Sequence, residues 1–250
     1  MKLNEIWYYP IKSLTGNKIT QVVLNPGLGI PHDRRWALAR PQGQAIGNKD
    51  WHKKSEFFVL VKDTKLSTLH CNLDDRTGLF SLQGPDSLVA SGNIFSDDGA
   101  LKFAKAVGLH LGLVGEQYPV LVEAAQMGYV DTLQGPISIL NLASLKAFEN
   151  SMGITVSPLR FRMNFLVQGA EPWVEREWLG KHIRIGKTVI QITEETGRCK
   201  ATHINPDTGV LDAKILHALK KSFNHTNLGV YGKVIDGGLI QPGDEINVLD

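Results

Sequence analysis

The chain has 250 residues, 42% of them hydrophobic and 21% charged, with a formal net charge of +2. That balance is ordinary for a globular protein large enough for one domain or two small ones, and it argues against nucleic acid or an acidic membrane surface as partner. Its two cysteines, Cys71 and Cys199, are too few for a disulfide framework or a self-contained four-cysteine iron–sulfur cluster.

The opening "MKLNEIWYYPIKS" has no apolar core of signal-peptide length. No apolar stretch reaches the roughly 20 residues of a bilayer span, so a cytoplasmic protein without membrane partners is expected. Short strand-like runs follow: "ITQVVLN" (19–25), "RWALAR" (35–40), "FFVLVK" (57–62), "LSTLHCNL" (66–73) and "GLFSLQG" (78–84). Turn formers such as Pro26-Gly27, Pro41-Gln42-Gly43 and Gly84-Pro85 separate them. The first helix is expected after Ser96, which can cap it, with Leu101, Ala104, Val107 and Leu111 on its apolar face. A second runs from the cap Asn141 to the terminator Gly153 with Leu142, Leu145 and Phe148 inward, and a third covers "AKILHALKKSF" (213–223).

"RFRMNFLVQG" (160–169), "KHIRIG" (181–186) and "TVIQITEE" (188–195) read as further strands. "KVIDGGLIQPGDEINVLD" (233–250) reads as two strands joined by a Pro-Gly-Asp turn. Many short strands with few helices predict an α+β chain, mainly β, built as a barrel or sandwich. A boundary is expected near residues 113–120, dividing the chain into 1–115 and 116–250.

The stretch "GRCKATHINPDTG" (197–209) sets Cys199 between Arg198 and Lys200, just before a stiff turn. Cations lower a thiol's pKa, and only the thiolate is a nucleophile or metal ligand. A small buried hydrophobe is the other reading, and the residues alone leave both open. Lys12 in "YYPIKSLTG" follows a proline and could present its ammonium to an anion, or simply be solvated. In "PHDRRWALAR", strand alternation puts Arg34 with Trp36 and Arg35 opposite; in "LRFRMNF" it puts Arg160, Arg162 and Asn164 on one face. Arginines among apolar strand residues need an anion if buried, or a wet sheet face. Cys199 and His203 are too few for a zinc site, and no phosphate-loop or dinucleotide motif is present.

Taken in order, "YPIKS", "DRRW", "RFRMN", "GRCKATHINPDTG" and "IQPGDEI" resemble the MOSC superfamily, more closely its branch with an N-terminal β-barrel, which includes the amidoxime-reducing components. The resemblance covers essentially the whole chain. It implies a MOSC β-barrel packed against an N-terminal β-barrel subdomain (1–115), with the MOSC domain at 116–250. It also implies a molybdenum cofactor, a molybdenum–pterin group, whose metal is bound by Cys199. Lys12, Ser13, Arg34, Arg162, Asn164, Arg198 and Thr202 are implied to contact the pterin and its phosphate, as are Asn141 and Ser144.

The implied activity is reduction of N–O bonds in small N-hydroxylated compounds, with electrons from an external iron–sulfur, flavin or cytochrome protein. An alternative is a carrier of the cofactor, or of sulfur on Cys199, without turnover. A third reading is a cysteine hydrolase with His203 as base. Two departures from the family pattern stand out: Gly197 replaces a frequent serine, and Asn205 a frequent aspartate.

Overall fold

The structure is a computed structural model describing residues 1–85 and 87–249. Its strands in chain order are β1 (Lys2–Tyr8), β2 (Asn17–Ile19), β3 (Val22–Leu24), β4 (Trp36–Ala39), β5 (His70–Leu73), β6 (Leu79–Gln83) and β7 (Leu88–Asn93). After helix α1 (Asp97–His110) come β8 (Val120–Glu123), β9 (Ile137–Asn141), α2 (Leu142–Met152) and β10 (Phe165–Gln168). Then follow β11 (His182–Ile185), β12 (Thr188–Gly197), α3 (Ile215–Phe223), β13 (Asn227–Asp236), β14 (Gly238–Ile240) and β15 (Ile246–Leu249).

An eight-stranded sheet in the order β15-β11-β12-β13-β9-β10-β1-β2 forms the main body. It takes both ends of the chain: β1 pairs antiparallel with β10, and β15 with β11. β10 and β9 run parallel, as the α2 crossover between them requires. β3 pairs with β14, β4 with β8, and β5-β6-β7 form a meander. Among the described residues no sheet is closed on itself by strand pairing. The chain is mainly β with three helices among the described residues, in keeping with the expected class.

Alternation places the core. Ile183, Ile185, Ile190 and Ile192 turn inward from β11 and β12, joining Leu3, Ile6, Phe165 and Val230 under the large sheet. β9 is buried along its whole length, with Leu140 facing α2 and α3 and Ile137 and Ile139 facing the main core. A second core gathers the meander, α1, Ile11, Leu14 and Ile204.

The helix termini follow the sequence closely. Ser96 accepts from Gly99 N at 3.1 Å and Asn141 from Ala143 N at 3.0 Å, while Gly153 ends α2 at φ 69°. The apolar face of α1 differs from expectation. Phe103, Ala104, Ala106 and Val107 are buried, but Leu101 is 69% exposed. Phe103 meets Phe80 edge-on at 5.0 Å, and Gly99 lies so close to Asn93 that a Cβ there would overlap its carbonyl. Tertiary packing therefore sets the rotation of the helix.

Three expected strands are shortened. "FFVLVK" makes a single bridge, Phe57 to Ala39, then turns where Asp63 accepts from Val59 N at 3.1 Å. Its alternation is real but serves two cores, Phe57 and Val59 in one and Phe58 and Leu60 in the other. "LSTLHCNL" begins as the 3-10 turn Thr64–Thr68 before β5. "RFRMNFLVQG" opens with the 3-10 turn Pro158–Phe161, and Arg162 adopts φ 53°. The expected common face of Arg160 and Arg162 therefore does not form. "ITQVVLN" divides into β2 and β3, and the terminal strands β14 and β15 pair with different partners; Asp250 lies outside the described residues.

Phe103→Ala is expected to lower stability by about 3–5 kcal/mol through cavity formation, whereas Leu101→Ala stays within about 0.5 kcal/mol. Urea unfolding of both variants checks the assignment of the α1 face.

Candidate functional site

A cavity of about 440 Å³ opens where the N-terminal segments meet the end of β12. Lys12, Ser13, Arg34, Arg162, Asn164, Arg198, Cys199 and Thr202 all line it. Residues as far apart in sequence as Lys12 and Thr202 thus meet at one surface because β1 docks beside β10.

Three backbone kinks aim the side chains. Ser13, Arg34 and Arg162 all adopt positive φ, 72°, 52° and 53°, a region uncommon for residues other than glycine. Such strain is held only where surrounding contacts enforce it. Arg34 N donates to Tyr9 O at 2.7 Å, and Arg34 Nη2 donates to Arg162 O at 2.8 Å. Arg162 Nη1 donates to Leu14 O. Both guanidinium groups lie over the ring of the buried Tyr9, at 4.8 Å and 4.4 Å from its centroid.

One buried carboxylate organises this cluster. Asp33 accepts from Tyr9 N at 2.7 Å, from Arg34 Nη1, and from Asn164 Nδ2 at 3.1 Å. Asn164, 1% exposed, also accepts from Ser138 Oγ at 2.8 Å and donates to Trp7 O at 3.2 Å. Its amide is thus engaged in joining β1, β9 and the 31–34 turn.

Positive charge dominates the cavity. Burial, then the neighbouring Arg34, pulls the Arg162 guanidinium down to about 10, and its Nη2 is buried with no partner. For Arg34 burial works against the charge, but Asp33 and Asp131 outweigh it and hold the proton more firmly. Lys12 donates to Tyr129 O at 2.8 Å and to Asp131 Oδ1 at 3.1 Å; burial lowers its pKa despite Asp131. The Asp131 side chain is 66% exposed at the mouth, and Lys12 first, then the arginines, keeps its carboxyl well below the usual range.

Cys199 is exposed at the cavity wall, whereas Cys71 is buried and pushed up to about 12 by that burial, which leaves it inert. The segment carrying Cys199 is set by β12, whose register against β13 shifts three times before Gly197. Arg198 N then donates to Thr226 O at 3.0 Å, and Thr202 Oγ1 to Cys199 O at 2.9 Å. Arg198 directs its guanidinium to the carbonyls of Leu228 (2.7 Å) and Phe161 (3.0 Å), so it braces the turn.

Other expected residues lie elsewhere. Asn141 and Ser144 do not line the cavity; both donate to Glu175 Oε2, at 2.9 Å and 2.7 Å, inside the fold. Arg35 turns outward to Glu123 and packs over Trp36 at 4.8 Å, so Trp36 partners Arg35 and not Arg34. Arg160 does line the cavity, but its guanidinium pairs with Asp212 at 2.6 Å. His203 accepts from Leu216 N at 3.3 Å and does not line the cavity, so it forms no base for Cys199. Tyr9 and Asp33 open the motifs "YPIKS" and "DRRW" but are not among the expected site residues, and Asp131 stands in no motif. Asp33→Ala is expected to destabilise the fold by about 3–5 kcal/mol, because it strands the buried Arg34 charge; denaturant melts check this.

Two family models cover most of the chain: the MOSC N-terminal beta barrel domain matches residues 1–97, and the MOSC domain residues 109–247. Mitochondrial amidoxime reducing component 2 of Bos taurus is 25% identical, across 98% of this chain and 82% of that protein. Molybdenum cofactor sulfurase of Oryza sativa is 22% identical across 97% of this chain, which spans 32% of that protein's length. Among solved structures, YuaD of Bacillus subtilis is similar with a TM-score of 0.48 and 13% identity, covering 99% of this chain and 94% of that one. With its models matching from residue 1 to 247, the chain belongs to the MOSC domain family and carries the family's N-terminal beta barrel domain.

Proposed function

We propose that the cavity holds a molybdenum–pterin cofactor and that the protein reduces the N–O bond of small N-hydroxylated compounds. The observation that carries this reading is the unpartnered, buried Nη2 of Arg162 beside Arg34 and Lys12, with an exposed thiol in the same wall. An orphaned buried donor of this kind costs about 1–3 kcal/mol. An anionic ligand would recover that cost and relieve the repulsion between the arginines. The soft thiolate of Cys199 suits a metal already bound by sulfur.

In this reading Arg162, Arg34 and Lys12 bind the anionic part of the cofactor, Ser13 and Thr202 bound its site, and Cys199 is the protein ligand to molybdenum. Asn164 and Arg198 act through the backbone they hold. When bound, the cofactor supplies the two-electron redox chemistry. Two cysteines cannot bind a four-cysteine cluster, so electrons come from a separate electron-transfer protein. The likeness to amidoxime-reducing proteins along nearly the whole chain supports the substrate class. Among the described residues no helix is long and apolar enough to cross a membrane.

Protein made in a host that produces the cofactor is expected to carry about one molybdenum and one pterin per chain. Cys199→Ser should lose the metal, and Arg162→Met should lose the pterin as well. Loaded wild type supplied with an artificial electron donor should reduce an aromatic amidoxime and retain its molybdenum through many turnovers. Loss of the cofactor to an apo-enzyme without turnover would instead mark a carrier, and absence of both metal and pterin would refute the reading altogether.

Before any cofactor is loaded, pyrophosphate should raise the Tm of the apo-protein, less at high salt and not at all in Arg162→Met. A scanning-fluorimetry series with the same Tm shift in both proteins would remove the anion site.

A further inference from the structure

Loop 48–54 leads from β4 into the cavity wall and carries His52. The imidazole Nε2 is buried and has no partner, and His52 is among the residues that line the cavity. The loop is fixed by the residues just before His52. Trp51 Nε1 donates to Val130 O at 2.9 Å, Ala125 N to Lys49 O at 2.9 Å, and Lys49 Nζ to Glu123 at 3.1 Å. The loop is therefore held, through Trp51, against the same segment that supplies Tyr129 O and Asp131 to Lys12.

We infer that His52 is the proton donor of the cavity, delivering its proton to the substrate nitrogen as the N–O bond breaks. This inference rests on the reaction proposed above. Reduction of an amidoxime consumes two electrons and two protons: the N–O bond breaks, an N–H bond forms, and the oxygen leaves as water. The electrons come from the external donor. The electron pair of the broken bond leaves a strongly basic nitrogen, which must be protonated in place, and the second proton reaches the oxygen from solvent.

The other groups of the wall are unsuited to this. Asp131 is held ionised by Lys12 and has no proton to give at neutral pH. The Lys12 ammonium is occupied by Tyr129 O and Asp131. Tyr231 is pushed up by burial and then by Asp131, which makes it a weaker acid than a free phenol. Arg34 and Arg162 are guanidinium groups that bind anions and keep their protons. Arg198 is committed to backbone carbonyls. Lys53 and Lys54 are exposed in water on the loop, and Cys199 is the metal ligand. His52 is the imidazole of this wall among the described residues, and an imidazole ordinarily exchanges protons near neutrality.

The test compares wild type with His52→Gln, which keeps size and an N–H but cannot transfer a proton. Molybdenum and pterin content should be equal in the two. With benzamidoxime as substrate, kcat should fall on the order of 10²-fold or more while KM is unchanged. A general acid acts only when protonated, so wild-type kcat should fall toward high pH along a limb that the variant lacks. Independently of turnover, the ¹⁵N signal of His52 Nε2 should move when benzamidoxime is added to the oxidised holoprotein.

Should His52→Gln lose its cofactor, His52→Ala with and without added imidazole decides, recovery of kcat supporting the role and no recovery opposing it. Wild-type kcat and pH profile in a loaded His52→Gln would overturn the role alone. A loaded wild type that reduces no N-hydroxylated compound would overturn the proposed reaction and this role together.

Discussion

The Asp33 carboxylate is the contact on which the rest of the cavity depends. A buried charge is tolerable only when it is paired and hydrogen-bonded, and Asp33 meets that condition through Tyr9, Arg34 and Asn164. Those partners come from the residue just after β1, from the 31–34 turn and from the entry to β10. Satisfying one carboxylate therefore fixes three chain segments relative to one another. It also neutralises Arg34 and leaves Arg162 uncompensated. The excess charge of the cavity is thus a product of unequal pairing, since two guanidinium groups share Tyr9 but only one has a buried carboxylate.

The parts of the fold legible in the sequence are those decided locally. Ser96, Asn141 and Gly153 mark helix ends because a side-chain oxygen or a positive φ satisfies backbone groups within a few residues. The rotation of α1 was not legible, since Leu101 and Phe103 are both apolar and only the approach of Phe80 and Asn93 distinguishes them. The alternation in "FFVLVK" is genuine, yet a segment passing between two cores produces the same period as a strand. The turn at Arg162 was hidden for a different reason: nothing in "RFRMNF" signals a positive φ at an arginine, because distant contacts impose it.

The candidate site divides in the same way. Lys12, Arg34, Arg162 and Cys199 stand in recognisable local motifs, and the structure brings their side chains to one cavity. Asn141 and Ser144 share a motif with the start of α2 but are drawn inward by Glu175, a buried carboxylate that no local pattern announces. His52 and Asp131 lie in loops of unremarkable composition, and their place becomes visible only once β4 and β8 pair and the 123–131 segment folds over Lys12.

The pairing of β1 with β10 has a consequence for how the protein is made. During synthesis β1 leaves the ribosome well before its partner at 165–168, which emerges more than 150 residues later. Until then Leu3 and Ile6 belong to a strand with one open edge, and the closing contact is a long-range one. The walls of the cavity are divided by the same interval, with Lys12 and Arg34 on one side of it and Arg162 and Cys199 on the other. The anion site is consequently a late product of folding, and a nascent chain has no preformed place to capture a cofactor before Arg162 and Cys199 have been translated.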